Sequence, residues 1–229
     1  MGTDAEFDRY ADDYERMLRD PMRDAFGARG DFLHGRKWLP IADFLVRRGV
    51  STGGLSWLDV GCGKGELLRY GIPHVRRAVG CERSQEMVRH VEGAEAYWQE
   101  APDRLAFQDA SFDLITAVCV YHHVEEPRRQ PLTGEIYRVL RPNGVCCIIE
   151  HNPFNLATQL IVRRSPIDVD AKLLTPRRTR RYLKTAGFRD VESEYFLFLP
   201  ERFFDSFGDI EGVLRRLPLG GQYATFAIK

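Results

Sequence analysis

An aspartate followed by glycines at alternate positions is the first feature of this sequence that could hold a ligand. Residues 58–66 read LDVGCGKGE, in which Asp59 ends an apolar run and Gly61, Gly63 and Gly65 follow it. Glycines at a turn from strand to helix allow a tight backbone and the close approach of a ligand. The spacing is not the G-x-G-x-x-G of dinucleotide-binding enzymes, and the G-K-[S/T] ending of a P-loop is absent. An ordinary glycine-rich turn is the alternative interpretation.

A second acidic residue follows at the spacing expected of a nucleoside-binding site. Residues 79–82 read VGCE, so that Glu82 ends the next apolar run. A carboxylate at this point is placed to accept hydrogen bonds from both hydroxyls of a ribose. Alternatively, Glu82 is an acid near the start of the next helix, where negative charge is favoured. Together, the glycine turn and Glu82 indicate a ligand that contains adenosine.

Three histidines could supply acid–base chemistry. His122 and His123 follow the apolar run at 112–120, and His151 follows a later run. An imidazole titrates near neutral pH and can remove a proton from a hydroxyl group, although the same side chains could also pack and position. A metal site formed with Glu150 is the weaker interpretation, because these residues lie at two strand ends without a ligand spacing. The sequence therefore predicts no metal.

The elements that must position these residues alternate along the chain. Helical periodicity at 4–50 predicts an N-terminal helical cap over residues 1–50. Beyond it, helical or turn-rich stretches separate short apolar runs at 55–60, 76–81, 95–98, 112–120 and 144–149. This alternation predicts a parallel sheet covered by helices on both faces. Residues 142–144 predict a turn, and Thr175-Pro176 predicts the start of a helix that Gly187 ends.

The last part of the chain departs from this alternation. Residues 190–198 and 222–228 predict two strands separated by too short a stretch to require a crossover, so they could lie antiparallel. The inserts 151–174 and 199–221 interrupt the pattern. Their aromatic side chains would form a lid over an apolar substrate, pack internally, or meet a second copy of the chain in a homodimer. The aromatic residues cluster around 199–207 and include two from the end of the preceding strand: Phe196, Phe198, Phe203, Phe204 and Phe207.

Length and composition favour one globular domain over residues 1–229. The 33 basic and 33 acidic residues give a formal net charge of zero, which argues against a general nucleic-acid binder. Five cysteines, an odd number without metal-ligand spacing, predict buried reduced thiols. The polar N-terminus and the lack of an apolar run of ~18 residues predict a cytoplasmic protein without membrane association.

The sequence resembles the class I S-adenosylmethionine-dependent methyltransferases, particularly the small-molecule group that includes the ubiquinone-biosynthesis-type enzymes. Five segments carry the resemblance in order: LDVGCGKGE at 58–66, Glu82, LAFQDASFD at 105–113, YHHV at 121–124 and RVLRPNG at 138–144. The resemblance implies a Rossmann-like sheet of seven strands, mostly parallel and with an antiparallel last strand. It also implies S-adenosylmethionine as cofactor.

The resemblance also implies which residues contact the cofactor. These are Tyr14, Arg36, Asp59, Gly61, Cys62, Gly63, Glu82, Arg83, Glu100, Ala101 and Val118. One position departs from the family pattern, because many relatives carry an aspartate that receives the adenine amino group where this chain has Ala101. Glu100 or Asp103 could take over that contact.

The methyl acceptor would lie beyond the ends of the fourth and fifth strands. We expect His123, His122 or His151 to act as the base there, and we expect Tyr10, Tyr121, Asn152, Phe198 and Tyr223 to contact the acceptor. The expected reaction is methyl transfer to a hydroxyl oxygen of a small molecule, a secondary metabolite or a sugar. The alternatives are transfer to nitrogen or carbon, and a scaffold without catalytic activity.

Overall fold

A seven-stranded sheet forms the centre of the molecule. The computed structural model describes residue 8 and residues 13–27 and 30–229. The strands are β1 (Ser56–Val60), β2 (Arg77–Glu82), β3 (Glu95–Trp98), β4 (Phe112–Val118), β5 (Leu140–His151), β6 (Arg189–Phe196) and β7 (Gln222–Ile228). Their order across the sheet is β3-β2-β1-β4-β5-β7-β6, and β7 runs antiparallel to both of its neighbours. This arrangement confirms the Rossmann-like fold expected from the sequence.

Helices cover the sheet. They are α1 (Tyr14–Met17), α2 (Pro21–Phe26), α3 (Gly30–Arg47), α4 (Glu66–Gly71), α5 (Gln85–Arg89), α6 (Glu126–Val139), α7 (Leu156–Arg164), α8 (Pro176–Thr185), α9 (Glu201–Phe207) and α10 (Asp209–Leu214). The Thr175 side chain caps α8 as its sequence predicts, accepting a hydrogen bond from the Arg178 backbone N–H at 3.3 Å. Among the described residues, no helix is long and apolar enough to cross a membrane.

Alternate residues of the central strands face two different layers of helices. On one face, Trp57 of β1 packs in a buried cluster with Phe44 of α3, whose ring stacks on Phe226 at 4.1 Å. On the other face, Leu58 packs in a cluster that includes Ile136 of α6. Strands buried on both faces explain why their sequences are nearly continuous apolar runs. The five cysteines are free thiols, four of them buried and Cys119 half-buried.

The segment 142–144 differs from its expected role as a turn before the fifth strand. Strand β5 runs through it from Leu140, but its pairing with β4 jumps from Phe112–Leu140 to Leu114–Val145. Asn143 has a positive φ of 65° within this irregularity. The sequence signal therefore marks a bulge that the strand passes through, because pairing resumes on both sides of it.

The parallel strands bring the candidate residues to one edge of the sheet. β1, β2, β4 and β5 run in the same direction, so their carboxyl ends lie side by side. The glycine turn follows β1, Glu82 ends β2, and Cys119 comes directly after β4. Ligands of open α/β sheets bind at this edge.

Candidate functional site

Two adjoining cavities lie at the carboxyl edge of the sheet. The larger has a volume of about 550 Å³ and is lined by the glycine turn and Glu82. The smaller has a volume of about 220 Å³ and is lined by the histidines after β4 and β5. Six residues line both cavities: Tyr14, His34, Lys37, Cys119, His123 and Ile167. Molecules bound in the two cavities would therefore contact the same six residues, which we call the shared wall.

The glycine turn has the conformation that its composition predicts. Gly61 and Gly63 have φ values of 70° and 55°, in the left-handed region that favours glycine. A Cβ on Gly61 would lie 2.4 Å from Cγ2 of Val120, which allows no side chain there. The backbone N–H of Gly61 donates to the Cys81 carbonyl at 2.8 Å. The turn is thereby fixed against the ends of β2 and β4, with its backbone facing the larger cavity.

The Glu82 carboxylate is oriented by three backbone N–H groups. One oxygen accepts from Gly63 at 3.1 Å, and the other accepts from Arg83 at 2.6 Å and Ser84 at 3.0 Å. Burial raises the pKa of Glu82, and these hydrogen bonds oppose that effect. The carboxylate lines the larger cavity and bridges the glycine turn to the end of β2.

Asp59 is held from within the sheet. The Trp57 indole N–H donates to Thr116 Oγ1 at 2.8 Å, and that hydroxyl donates to Asp59 Oδ1 at 2.5 Å. Burial raises the pKa of Asp59 to about 7, although the hydrogen bond from Thr116 lowers it. This chain fixes the orientation of the carboxyl group at the end of β1, where it lines the larger cavity.

The smaller cavity combines an apolar wall with a few polar groups. The apolar side chains come from α1, α2, α3, α7 and the segments beside them: Met17, Leu18, Met22, Phe26, Leu33, Ala157, Ile161, Ile167 and Leu197. Gln222 lies at its inner wall, 5% exposed, and its Nε2 is 3.3 Å from Cys119 Sγ. Within the described residues, Gln222 Oε1 has no hydrogen-bond partner. A ligand with an N–H or O–H group would satisfy this acceptor.

The histidines form one connected group with two acids. His122 Nδ1 is 2.5 Å from Glu150, and its Nε2 is 3.4 Å from Asp168. Burial lowers the pKa of His122, but these carboxylates outweigh it and raise the pKa to about 10. His123 Nε2 also lies 3.4 Å from Asp168, while burial and His122 lower its pKa to about 3. The His151 ring is 5.1 Å from that of His122.

Cys119 lies where the two cavities meet, with an uncommon backbone φ of 58°. Its N–H donates to the Ile149 carbonyl at 2.8 Å, which ties it to β5. Burial raises the pKa of this thiol, but Lys37 and His151 outweigh burial and lower it to about 7. A thiol whose pKa is lowered therefore faces both cavities.

Many of the residues predicted from the sequence lie together at these cavities. The larger cavity is lined by Tyr14, Asp59, Gly61, Cys62, Gly63, Glu82, Arg83 and Val118, and the smaller by Tyr14, His122, His123 and His151. Neither lining includes Arg36, Glu100, Ala101, Tyr121, Asn152, Phe198 or Tyr223. Tyr10 lies outside the described residues.

The predicted substrate contacts that lie elsewhere have internal partners instead. Tyr121 is fully buried and its hydroxyl is 2.9 Å from Thr133 Oγ1. The Tyr223 hydroxyl donates to the Leu174 carbonyl at 3.0 Å. The buried Asn152 side chain donates to the Gly220 carbonyl at 2.7 Å, joining the end of β5 to the segment before β7. These polar groups at strand ends hold the loops that surround the site.

Arg36 lies beneath α9 and α10 and not at the cofactor side. It forms a buried ion pair with Glu211, and its guanidinium carbon lies 3.7 Å from the Phe204 ring centroid. The insert 199–221 thus packs on α3, and only its last residue, Gly221, lines a cavity. The insert 151–174 lines the smaller cavity through α7 and the segment that contains Asp168.

Two residues close to Ala101 in sequence line the larger cavity, whereas Ala101 itself does not. Gln99 and Pro102 line the larger cavity, and the Gln99 side chain donates to the Ala101 carbonyl at 2.8 Å. Asp103 pairs with Arg128, another lining residue, at 3.3 Å. A ligand at this end of the cavity therefore meets an amide and an arginine.

Sequence reasoning missed Lys37, Cys119, Asp168 and Gln222. His34 and Lys37 are three residues apart on α3, a spacing that places two polar groups on one face of a helix. Cys119 lies near the end of the apolar run at 112–120, a position that predicts a core residue. Asp168 and Gln222 lie far apart in sequence and meet the histidines only through the fold, so their local sequence carries no signal.

Comparison with known proteins finds a methyltransferase domain in part of the chain. Residues 58–148 match the model of a methyltransferase domain. The chain is 30% identical over 102 residues to YcgJ, an uncharacterized methyltransferase of Bacillus subtilis, covering 41% of this chain and 40% of that protein. It is 33% identical over 98 residues to the 27-O-demethylrifamycin SV methyltransferase of Amycolatopsis mediterranei, covering 38% and 35% of the two chains. The matched part is thus less than half of either relative.

The fold extends the likeness beyond these aligned segments. A crystal structure of a SAM-dependent methyltransferase from Archaeoglobus fulgidus superposes with a TM-score of 0.63 and 22% identity. It covers 88% of this chain and 100% of the other. S-adenosylmethionine is the methyl donor of this class. The chain matches a methyltransferase domain at residues 58–148 and has the fold of S-adenosylmethionine-dependent methyltransferases.

Proposed function

We propose that this protein transfers a methyl group from S-adenosylmethionine to a hydroxyl oxygen of a small molecule held in the smaller cavity. The observation that supports this most directly is the shared wall between the two cavities, which includes Cys119 and His123. Methyl transfer needs the donor and the acceptor in line and close together, and alignment of two reactants supplies much of the rate enhancement.

The larger cavity fits the methyl donor. Its side chains match the parts of that molecule: Glu82 would accept hydrogen bonds from the ribose hydroxyls, and the backbone at Gly61 and Gly63 would lie against the methionine part. The missing Cβ of Gly61 keeps this backbone accessible. When bound, S-adenosylmethionine supplies a methyl group on a positively charged sulfur, which is already strongly electrophilic.

The smaller cavity supports a compact acceptor with at least one donor group. Its volume of about 220 Å³ and its apolar wall suit a small ring or a short chain. The unpaired Gln222 Oε1 would accept a hydrogen bond from the acceptor. The name of the Amycolatopsis relative places its acceptor atom at a 27-O position, which agrees with methyl transfer to oxygen.

His151 is the base that the geometry favours. Both ring nitrogens of His122 face carboxylates, and His123 Nε2 faces Asp168. His151 lines the same cavity at the end of β5. Among the ion pairs of the described residues, none joins the His151 ring to a carboxylate. Proton removal by a positioned imidazole contributes ~10²- to 10⁴-fold to rate.

Three measurements test this function. Calorimetric titration with S-adenosylmethionine and S-adenosylhomocysteine should show micromolar binding. Incubation with hydroxyl and amine acceptors should give methylated products from hydroxyl compounds only, as detected by mass spectrometry. His151→Asn should lower turnover at least ~100-fold, whereas the exposed His90→Asn should have no effect. Methylation of amines alone would refute methyl transfer to oxygen. An unchanged rate in His151→Asn would refute His151 as the base.

A further inference from the structure

We infer that His122, His123 and Asp168 form a zinc site at the inner wall of the smaller cavity. The two imidazole nitrogens and one carboxylate oxygen lie within 4.8 Å of one another. Two histidines and one carboxylate are the ligand set of several catalytic zinc centres, which leave the fourth position for water or substrate. Neither the family nor the sequence spacing assigns a metal here.

The distances between the ligand atoms agree with tetrahedral coordination. His122 Nε2 and His123 Nε2 each lie 3.4 Å from Asp168 Oδ1. Both separations lie at the long end of hydrogen-bond distances, which are most often ~2.9–3.0 Å. Ligand atoms ~2.0–2.1 Å from a tetrahedral zinc ion are separated by roughly 3.3–3.4 Å. The two separations therefore match two edges of a zinc tetrahedron.

Glu150 completes the arrangement from behind. It is fully buried and lies 2.5 Å from His122 Nδ1, the ring nitrogen on the side away from Asp168. Its other oxygen accepts from the Tyr121 N–H at 2.8 Å. Histidines that bind metals through one nitrogen commonly donate the other N–H to a carboxylate, which fixes the tautomer and the ring orientation. His122 is therefore held with Nε2 directed at Asp168.

A buried arginine brings the ligands together from distant parts of the chain. Arg129, 1% exposed, donates to the Val124 carbonyl at 2.8 Å and to the Lys172 carbonyl at 3.3 Å. The Lys172 N–H donates in turn to the His122 carbonyl at 3.0 Å. These bonds clamp the loop after β4 to the segment that carries Asp168. The three ligands are thus preorganised by backbone contacts.

The site would act on the acceptor. His122, His123 and Asp168 all line the smaller cavity, so the fourth position opens toward a bound acceptor. A zinc ion lowers the pKa of a hydroxyl bound to it, and the released proton would go to the His151 imidazole. This role rests on the proposed methyl transfer, whereas zinc binding itself does not.

Zinc binding is tested with the full chain, purified without a histidine tag. Elemental analysis should find about one zinc per chain, and Co²⁺ added to the chelator-treated protein should give the intense visible absorption of tetrahedral cobalt. Asp168→Ala and His123→Ala should weaken zinc binding at least ~100-fold by calorimetry, and Glu150→Gln ~10- to 100-fold. The exposed His90→Ala should bind zinc as the wild type does.

The outcomes separate the site from the function. A cooperative thermal unfolding transition verifies that each variant is folded, and His123→Asn serves as a second, milder variant at a side chain that is 23% exposed. No zinc in the folded wild type, or zinc affinity unchanged in Asp168→Ala and His123→Asn, would overturn the proposal. If only the variants of the three ligands lose zinc, the zinc site is supported. If the wild type also methylates no hydroxyl acceptor, the proposed function is refuted while the zinc site stands.

Discussion

Gly61 and Val120 are in such close contact that the glycine turn and the end of β4 form one unit. A Cβ built on Gly61 would lie 2.4 Å from Val120 Cγ2 and 3.3 Å from its Cγ1. Val120 itself lines the larger cavity. The donor side of the site therefore depends on a packing contact that permits no atom between these two residues.

Gly61→Ala should weaken donor binding. The added methyl group must displace Val120 and also sits at a φ of 70°, so we expect a loss of ~1–3 kcal/mol, or roughly 10- to 100-fold in affinity for S-adenosylhomocysteine. Calorimetric titration measures it. Adding Val120→Ala should restore part of the affinity, and Gly53→Ala, with no atoms near the new Cβ, is the control. Unchanged affinity in Gly61→Ala would show that the turn does not hold the donor.

Glu82→Gln should also weaken donor binding, because an amide replaces the carboxylate that would receive both ribose hydroxyls. Hydrogen bonds to charged groups contribute ~1.5–3 kcal/mol, so we expect a loss of about 10- to 100-fold in affinity. The exposed Glu92→Gln is the matched control. Equal affinities of both variants for S-adenosylhomocysteine would contradict the ribose assignment.

Asp59 should make stability depend on pH. Its pKa is raised from 3.8 to about 7. Between these two pH values, the folded protein keeps a proton on Asp59 that the unfolded chain has lost. Stability therefore falls as pH rises through that window. Asp59→Asn removes this pH dependence. As pH rises from 5 to 8, the free energy of unfolding of the variant should therefore increase by roughly 2–3 kcal/mol relative to that of the wild type. Urea unfolding without ligand measures this gain, and Asp31→Asn at the exposed start of α3 should show none.

Substitution of Arg36 tests whether this residue has a structural or a cofactor-binding role. Arg36→Leu leaves Glu211 buried without its cation, and breaking a buried ion pair costs ~3–5 kcal/mol. Glu211 also accepts from the backbone of Phe198 and Leu199 at 3.1 and 2.9 Å, so α10 should loosen as well. We expect lower stability in denaturant with affinity for S-adenosylhomocysteine unchanged. A clear loss of affinity in a folded Arg36→Leu protein would return Arg36 to the cofactor site.

The centre of the sheet was predictable because its strands β1, β4 and β5 are buried on both faces, which makes their apolar runs visible in the sequence. The run at 112–120 corresponds to β4, Phe112–Val118, and the runs at 55–60 and 76–81 to β1 and β2. The segment 142–144 was misinterpreted because its turn residues also suit a bulge. Asn143 adopts a positive φ in the middle of a paired strand, and local composition does not distinguish the two cases.

The donor side was predictable for a different reason: it is built from one local turn and the residue ending the next strand. The acceptor side is assembled from segments more than forty residues apart, as in the pair His122 and Asp168. The ion pair of Arg36 was not predictable because an arginine on a helical face carries no signal for its partner, and Glu211 lies 175 residues away. The internal hydrogen bonds of polar residues at strand ends, such as Asn152, were not predictable because holding a loop and binding a ligand require the same side chains.

The position of β7 has a consequence for how the chain folds during its synthesis. β7 follows β6 in sequence but lies between β5 and β6, pairing with both. Until β7 leaves the ribosome, β6 has no strand to pair with and β5 presents an unpaired edge through Val145–His151. A nascent chain at this stage would be a target for edge-to-edge association, because unpaired strand edges recruit other strands. The strand that follows β6 in the chain thus closes the sheet between β5 and β6.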